Sequence, residues 1–197
     1  MAEQTVQATP VVPAVPARGR SRAAILIAVA VLLFVTTYVL AWWDAYRLSS
    51  SYVDDADQSY EAGEYLDALV GYEVFDEEAR RYVTRGGYLK IDRIWENRYA
   101  FPVPEHVRHA QERIDTIINE KLTVEQAEQF VQQNIGRSNP AMGIIYLRLG
   151  ELYEEQGALR DAEDIYESIP DLFPNDPELI ERAAADLERL MQRSEND

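Results

Sequence analysis

Residues 23–43 read AAILIAVAVLLFVTTYVLAWW, with no charge, no Pro and no Gly, in a chain of 197 residues that is 27% charged. As an α-helix rising about 1.5 Å per residue, this stretch would extend roughly 30 Å, which is the thickness of the hydrocarbon core of a bilayer. No other stretch of the sequence is as long and as apolar. It therefore predicts a single transmembrane helix at residues 23–43, embedded in the lipid bilayer.

A cleaved signal peptide is the alternative for an apolar stretch near an N-terminus. The apolar region of a signal peptide is usually about 7–15 residues long and ends in small side chains at the cleavage site. This stretch is longer, and it ends in Trp42 and Trp43, which are typical of the interfacial belt of a membrane helix. We therefore expect an anchor that is not cleaved.

Basic residues flank the apolar stretch on one side only. Arg18, Arg20 and Arg22 precede it, whereas Arg47 is followed by acidic residues on the other side. Positive charge near a membrane helix marks the cytoplasmic side. The sequence thus predicts a single-pass protein of the cell (inner or plasma) membrane with a cytoplasmic N-terminus, an extracytoplasmic C-terminal domain, and a membrane interface marked by Arg22 and the two Trp.

The charge of the chain is strongly negative, with a formal net charge of −16. Most of it lies after the apolar stretch, where 16 basic residues face 34 acidic ones. Such a field repels phosphate backbones and acidic headgroups. The composition therefore excludes nucleic acid as a partner of the large domain and favours a basic or neutral protein surface, and the absence of Cys excludes disulfides and thiolate chemistry.

Residues 1–22 contain Pro10, Pro13 and Pro16 among Ala and Val. This composition favours an extended or polyproline II chain with no core to join. We expect a disordered, Pro-rich cytoplasmic tail, with a proline-motif docking site as the alternative.

Residues 44–87 are predicted to form a first helical hairpin. No helix breaker occurs between Trp43 and Gly63, so the membrane helix is expected to continue into the domain. A second helix over residues 64–85 would pack its own apolar stripe against it, with Gly63 at the turn and Gly86 and Gly87 at the end.

Residues 88–105 are rich in aromatic side chains and include the sequence FPVP, which prevents a helix. We expect an irregular segment here, either a plug over the hairpin or a contact edge that displays Trp95 and Tyr99 to a partner.

Residues 106–197 return to helical periodicity. Thr123 and Gln126 form a capping-box pattern, and Asp176 precedes a final amphipathic helix with a polar outer face. With the first hairpin, this gives an all-α domain of about six helices after the transmembrane helix, closed by a C-terminal capping helix. No strand is expected, apart from short extended chain near residues 99–103.

One unit within this region, at residues 143–176, resembles the tetratricopeptide repeat, a helix–turn–helix unit of about 34 residues. The resemblance rests on these positions: Leu149, Gly150, Tyr153, Gly157, Ala162, Tyr166 and Pro174. Two weaker copies occur, one around residues 63–73 and one ending near Pro140. The resemblance implies stacked helical pairs and a concave groove that binds peptides or helices of partner proteins.

The groove positions that the resemblance implies here are Ile144, Leu147, Arg148, Glu151, Glu154 and Glu155. The carboxylate-clamping members of the family have Lys and Asn where this chain has Leu147 and Glu151. An acidic C-terminal peptide is therefore not the expected ligand. A basic, apolar segment or a helix of another subunit fits better, unless these Glu are only a solvated helix face.

His106 and His109 are the only histidines, three residues apart on one predicted helix. This spacing can bring two imidazoles to one metal ion, but it lacks the further ligands of a metal site. We therefore predict no metal site, no cofactor, no small-molecule substrate and no enzymatic activity. The sequence favours a protein–protein interaction module that serves as scaffold, assembly factor or accessory subunit of a membrane complex. The alternatives are a translocon-associated chaperone for exported chains and, in another class, a metal-dependent enzyme or sensor that uses the two histidines.

Overall fold

The long N-terminal helix α1 extends without a break from Arg18 to Glu61 in the computed structural model, which describes residues 18–97, 99–137 and 139–194. The chain divides into two compact units, Met1–Asp44 and Ala45–Asp197. The expected continuation of the apolar helix past Trp43 is confirmed. The predicted tail, residues 1–22, is too long at its C-terminal end, because residues 18–22 already belong to α1. No Pro follows Pro16 that could interrupt the start of this helix. Residues 1–17 lie outside the described residues.

In the first unit, α1 is apolar and exposed. Within Arg22–Glu61 the most apolar window has a mean hydropathy of 2.7, and none of it is buried in the protein. This is the one helix in the described part of the chain that is long and apolar enough to cross a membrane. Thr36 and Thr37 donate their hydroxyl hydrogens to the carbonyls of Leu32 and Leu33, so these two polar groups are satisfied within the helix.

The second unit is mostly helical and contains one β-hairpin. After α1, its elements in chain order are α2 (Tyr65–Val70), β1 (Tyr72–Asp76), β2 (Arg81–Arg85), α3 (Tyr88–Trp95), α4 (Glu105–Thr116), a π-helical turn (Ile117–Lys121), α5 (Val124–Asn134), α6 (Met142–Glu155), α7 (Leu159–Leu172) and α8 (Pro177–Ser194).

The predicted helix at residues 64–85 is wrong beyond Val70. Gly71 takes a φ of +82° and ends α2, since this backbone conformation is open mainly to glycine. The chain then enters the antiparallel pair β1–β2. The sequences YEVFD and RYVTR are rich in aromatic and β-branched residues, which favour strands over helices.

The segment predicted as irregular, residues 88–105, begins instead with α3. Tyr88, Ile91 and Trp95 of this helix are buried, and their spacing of three and four residues places them on one helical face. Among the described residues of this segment, irregular chain is confined to 96–97 and 99–104, and Pro104 has the expected extended backbone. The following helix, α4, packs against α3.

The C-terminal helices match the sequence pattern more closely. Thr123 and Gln126 form both hydrogen bonds of a capping box at the start of α5. Asp176 accepts a hydrogen bond from the backbone N–H of Leu179 at the start of α8. Helix α6 packs against α5, α7 and α8, and α7 packs against α8, so α6 lies at the centre of this part of the domain.

Candidate functional site

The groove implied by the repeat resemblance is closed at two of its six positions. Leu147 is fully buried and Arg148 is also buried, so neither side chain is open to a partner. Ile144, Glu151 and Glu154 are half-buried, and Glu155 is exposed. The prediction of Leu147 and Arg148 as groove residues was wrong because their face of α6 packs against other parts of the domain.

Arg148 joins α6 to the π-helical turn. Its Nε donates to the carbonyl of Ile118 at 2.8 Å, and one terminal nitrogen donates to the carbonyl of Asn119 at 3.3 Å. The other terminal nitrogen contacts Glu151 at 2.9 Å and Glu155 at 2.8 Å. Burial alone would lower the pKa of Arg148, but the hydrogen bonds to the two carboxylates and their negative charges together outweigh it and raise the pKa. Arg148 is therefore a structural cation rather than a ligand contact.

Arginines of α8 neutralise the remaining acidic groove positions. Arg189 contacts Glu154 at 2.9 Å, Arg193 contacts Glu154 at 3.8 Å, and Arg182 contacts Glu151 at 3.7 Å. A small polar cavity of about 260 Å³ lies between α6 and α8 and is lined by Arg148, Glu151, Glu154, Glu155, Asp186, Arg189 and Arg193. The acidic rim expected to attract a basic partner is thus largely paired within the domain.

The two predicted edge aromatics have different environments. Trp95 is only 5% exposed, and its Nε1 donates to Ser49 Oγ at 3.0 Å. Tyr99 is 66% exposed. Trp95 was wrongly predicted as a surface contact because the sequence does not reveal that the buried Ser49 of α1 accepts its indole hydrogen.

The two histidines lie in a polar seam between α1 and α4. His106 Nε2 is 2.8 Å from Ser49 Oγ, and His109 Nε2 is 2.8 Å from Asp57 Oδ1. Asp57 also accepts a hydrogen bond from the hydroxyl of Tyr88. Within the described residues, no group of three or more potential ligand side chains could hold a metal ion. Both imidazoles of α4 thus contact polar side chains of α1.

The environment of His106 makes domain stability sensitive to acid. Burial lowers the pKa of His106, although the charge of Asp54 acts in the opposite direction. Because the folded-state pKa lies below the unfolded value of about 6.5, the unfolded chain binds the proton more readily. The contribution of His106 is therefore complete above about pH 6.5 and is lost as the pH falls.

We expect His106→Gln to reduce the loss of stability between about pH 7.5 and about pH 5.5, because Gln retains a polar group but does not titrate. Urea unfolding midpoints at a series of pH values, compared with the unchanged chain, measure this effect. An identical pH slope in both proteins would contradict it.

Lys90 lines a second cavity, of about 480 Å³, at the base of the hairpin. Among the described side chains, its Nζ is the buried polar atom without a hydrogen-bond partner, and burial lowers its pKa. The other charged residues around this cavity are Glu73, Asp92, Arg93, Glu96 and Arg137. Both signs of charge are present, so the lining favours neither an anion nor a cation.

The β-hairpin presents an aromatic pair that the sequence interpretation missed. Phe75 and Tyr82 are direct cross-strand partners, and their ring centroids lie 5.3 Å apart in an edge-to-face arrangement. They are 50% and 69% exposed. The aromatic and β-branched residues around them were the available signal, but Phe75 was assigned to a helical stripe instead.

The expected membrane-interface residues all lie in the first unit. Trp43 and Arg22 are exposed, and Trp42 is half-buried. All three belong to α1, near the two ends of the apolar stretch.

Together these features define a mostly helical protein with one long apolar N-terminal helix compatible with a membrane anchor. No protein-family model matches the sequence, and neither the curated proteins nor the solved structures compared with it give a match.

Proposed function

We propose that this protein is a membrane-anchored protein–protein interaction module that acts as scaffold, assembly factor or accessory subunit of a membrane protein complex. The exposed apolar helix supports the anchor. The arginines before it and the acidic residues after it support a cytoplasmic N-terminus and an extracytoplasmic domain. The anchor would hold the domain beside other subunits of the same membrane.

We also propose a tetratricopeptide-like packing for residues 143–176. Helices α6 and α7 have 14 residues each and are joined by residues 156–158 only. Gly150 lies against the ring of Tyr166, and Ala162 is fully buried. The resemblance implies small residues where the two helices cross closely and a large aromatic ring beside them.

The exposed Phe75–Tyr82 pair is the observation that carries the interaction role. Large aromatic side chains supply much of the binding energy at interface centres. The face that holds them also carries Glu73 and Thr84 at the next cross-strand pair, which gives the apolar centre a polar margin, as interfaces commonly have. The hairpin replaces the α6 groove as the favoured contact surface.

Mild-detergent purification from the native membrane tests this function. We expect one partner complex to co-purify in fixed ratio with the full chain. Replacing Phe75 and Tyr82 together with Ser should reduce its recovery at least about tenfold, since losing hot-spot aromatics costs about 2 kcal/mol or more.

Leu172→Ser is the matched control, because Leu172 is also an exposed apolar side chain, 55% accessible, but lies at the end of α7. It should leave recovery unchanged. Equal recovery of the partner with the double Ser variant would contradict the hairpin role. Crosslinking to many unrelated exported chains would instead support the chaperone alternative.

A further inference from the structure

The loop between α3 and α4 contains an uncharged, mostly apolar stretch. Residues 99–104 read YAFPVP. Tyr99, Phe101 and Val103 alternate along it and are 66%, 75% and 52% exposed. Three such neighbours on one short loop are unusual in a domain as rich in charge as this one.

Both ends of this loop are fixed near the start of the second unit. Trp95, just before the loop, donates its indole hydrogen to Ser49 Oγ at 3.0 Å. His106, just after it, lies 2.8 Å from the same oxygen. The imidazole ring of His106 also lies 5.3 Å from the ring of Tyr46. The loop therefore starts and ends at the part of α1 around residues 46–49.

Chain length alone places this region near the end of the apolar stretch. Ser49 follows Trp43 by six residues, which span at most about 20 Å even when fully extended and about 9 Å when helical. The hydrocarbon core is about 30 Å thick, and headgroups extend a bilayer to about 40–45 Å. A loop that is fixed at Ser49 is thus within reach of the headgroup layer.

We propose that Tyr99, Phe101 and Val103 insert into the headgroup–acyl boundary of the bilayer as a second, non-spanning lipid contact. This inference rests on the proposed membrane anchoring. Aromatic side chains favour the membrane interface, where an apolar ring and a polar edge are both accommodated. Pro102 and Pro104 have no backbone N–H, so the segment takes fewer unpaired donors into the lipid. Residues 99–104 carry no charge, so the contact is apolar and needs no acidic lipid.

Lipid quenching of site-specific fluorophores tests this contact in the full chain. The natural sequence contains no Cys, so single-Cys variants can be labelled cleanly with an environment-sensitive dye. Phe101→Cys and Val103→Cys would be reconstituted in phosphatidylcholine vesicles containing nitroxide-labelled lipid. Leu172→Cys on α7 is the exposed reference, and Leu40→Cys reports the apolar stretch itself.

We expect the dyes at positions 101 and 103 to be quenched several-fold more than the dye at position 172, and the dye at position 40 to be quenched strongly. If the dye at position 40 is quenched but both loop dyes are quenched no more than the dye at position 172, the loop contact is refuted and the anchor is retained. A blue-shifted dye without lipid quenching, as contact with protein would give, overturns it equally. An unquenched dye at position 40 would instead refute membrane anchoring, and the loop contact with it.

Discussion

Arg148→Ala is expected to lower the unfolding free energy of the helical domain by roughly 2–4 kcal/mol, because each buried acceptor left without its donor costs about 1–3 kcal/mol. The variant loses the donors to the carbonyls of Ile118 and Asn119 and leaves Glu151 without its closest cation. Urea unfolding in mild detergent, followed by far-ultraviolet circular dichroism, measures the change.

Two further variants test the reason for this effect. Arg148→Lys should recover little of the loss, because an ammonium group cannot reproduce the planar set of donors that Arg148 uses. Arg160→Ala is the matched control, since Arg160 is an exposed arginine on α7, and its removal should change stability by less than about 0.5 kcal/mol. If Arg148→Ala weakened partner binding but not folding, the groove assignment made from the sequence would be restored.

Gly150→Val is expected to destabilise the domain by about 3 kcal/mol, near the upper end of the usual overpacking range. A Cβ at this position would lie 2.6 Å from Cε1 of Tyr166 and 2.9 Å from Cγ2 of Ile165. Both of these side chains are buried, so they have little room to move. The same unfolding measurement applies.

Gly143, in the same helix, is the control for Gly150. A Cβ at Gly143 would lie 2.7 Å from Cδ2 of Leu179. Leu179 is also buried, but this atom is the far end of a flexible aliphatic side chain, whereas Tyr166 presents a rigid ring to Gly150. Alanine also gains about 1 kcal/mol over glycine in helix propensity. Gly150→Ala should therefore cost at least about 1 kcal/mol more than Gly143→Ala, and equal costs would argue against a close helix crossing at Gly150.

The sequence predicted the parts of the fold that depend on local pattern. The apolar stretch, the capping box at Thr123 and the cap at Asp176 each depend only on residues that are close together in the sequence, so they can be predicted without knowledge of the tertiary fold. The hairpin was missed because Gly71 was treated as an ordinary helix position. With Gly71 inside a helix, Tyr72 and Phe75 fall on the apolar stripe of that helix. The strand-favouring composition of these residues becomes decisive only once Gly71 is known to end α2.

The site residues were harder to predict because their environments depend on distant parts of the chain. Spacing places Arg148 on one face of α6, but it cannot show that backbone carbonyls about thirty residues earlier lie against that face. The same holds for Trp95, whose partner Ser49 belongs to a different helix. Periodicity predicts which residues share a face, whereas only tertiary packing determines what that face meets.

The two strands of the hairpin carry charged side chains of opposite sign. Strand β1 carries Glu73 and Asp76, and β2 carries Arg81 and Arg85. A twofold-symmetric dimer formed by edge-to-edge pairing would place each strand beside its own copy, bringing like charges together across the new strand pair. Two copies of the chain would therefore repel each other along either edge of the hairpin. This arrangement of charges disfavours edge-to-edge pairing between identical chains.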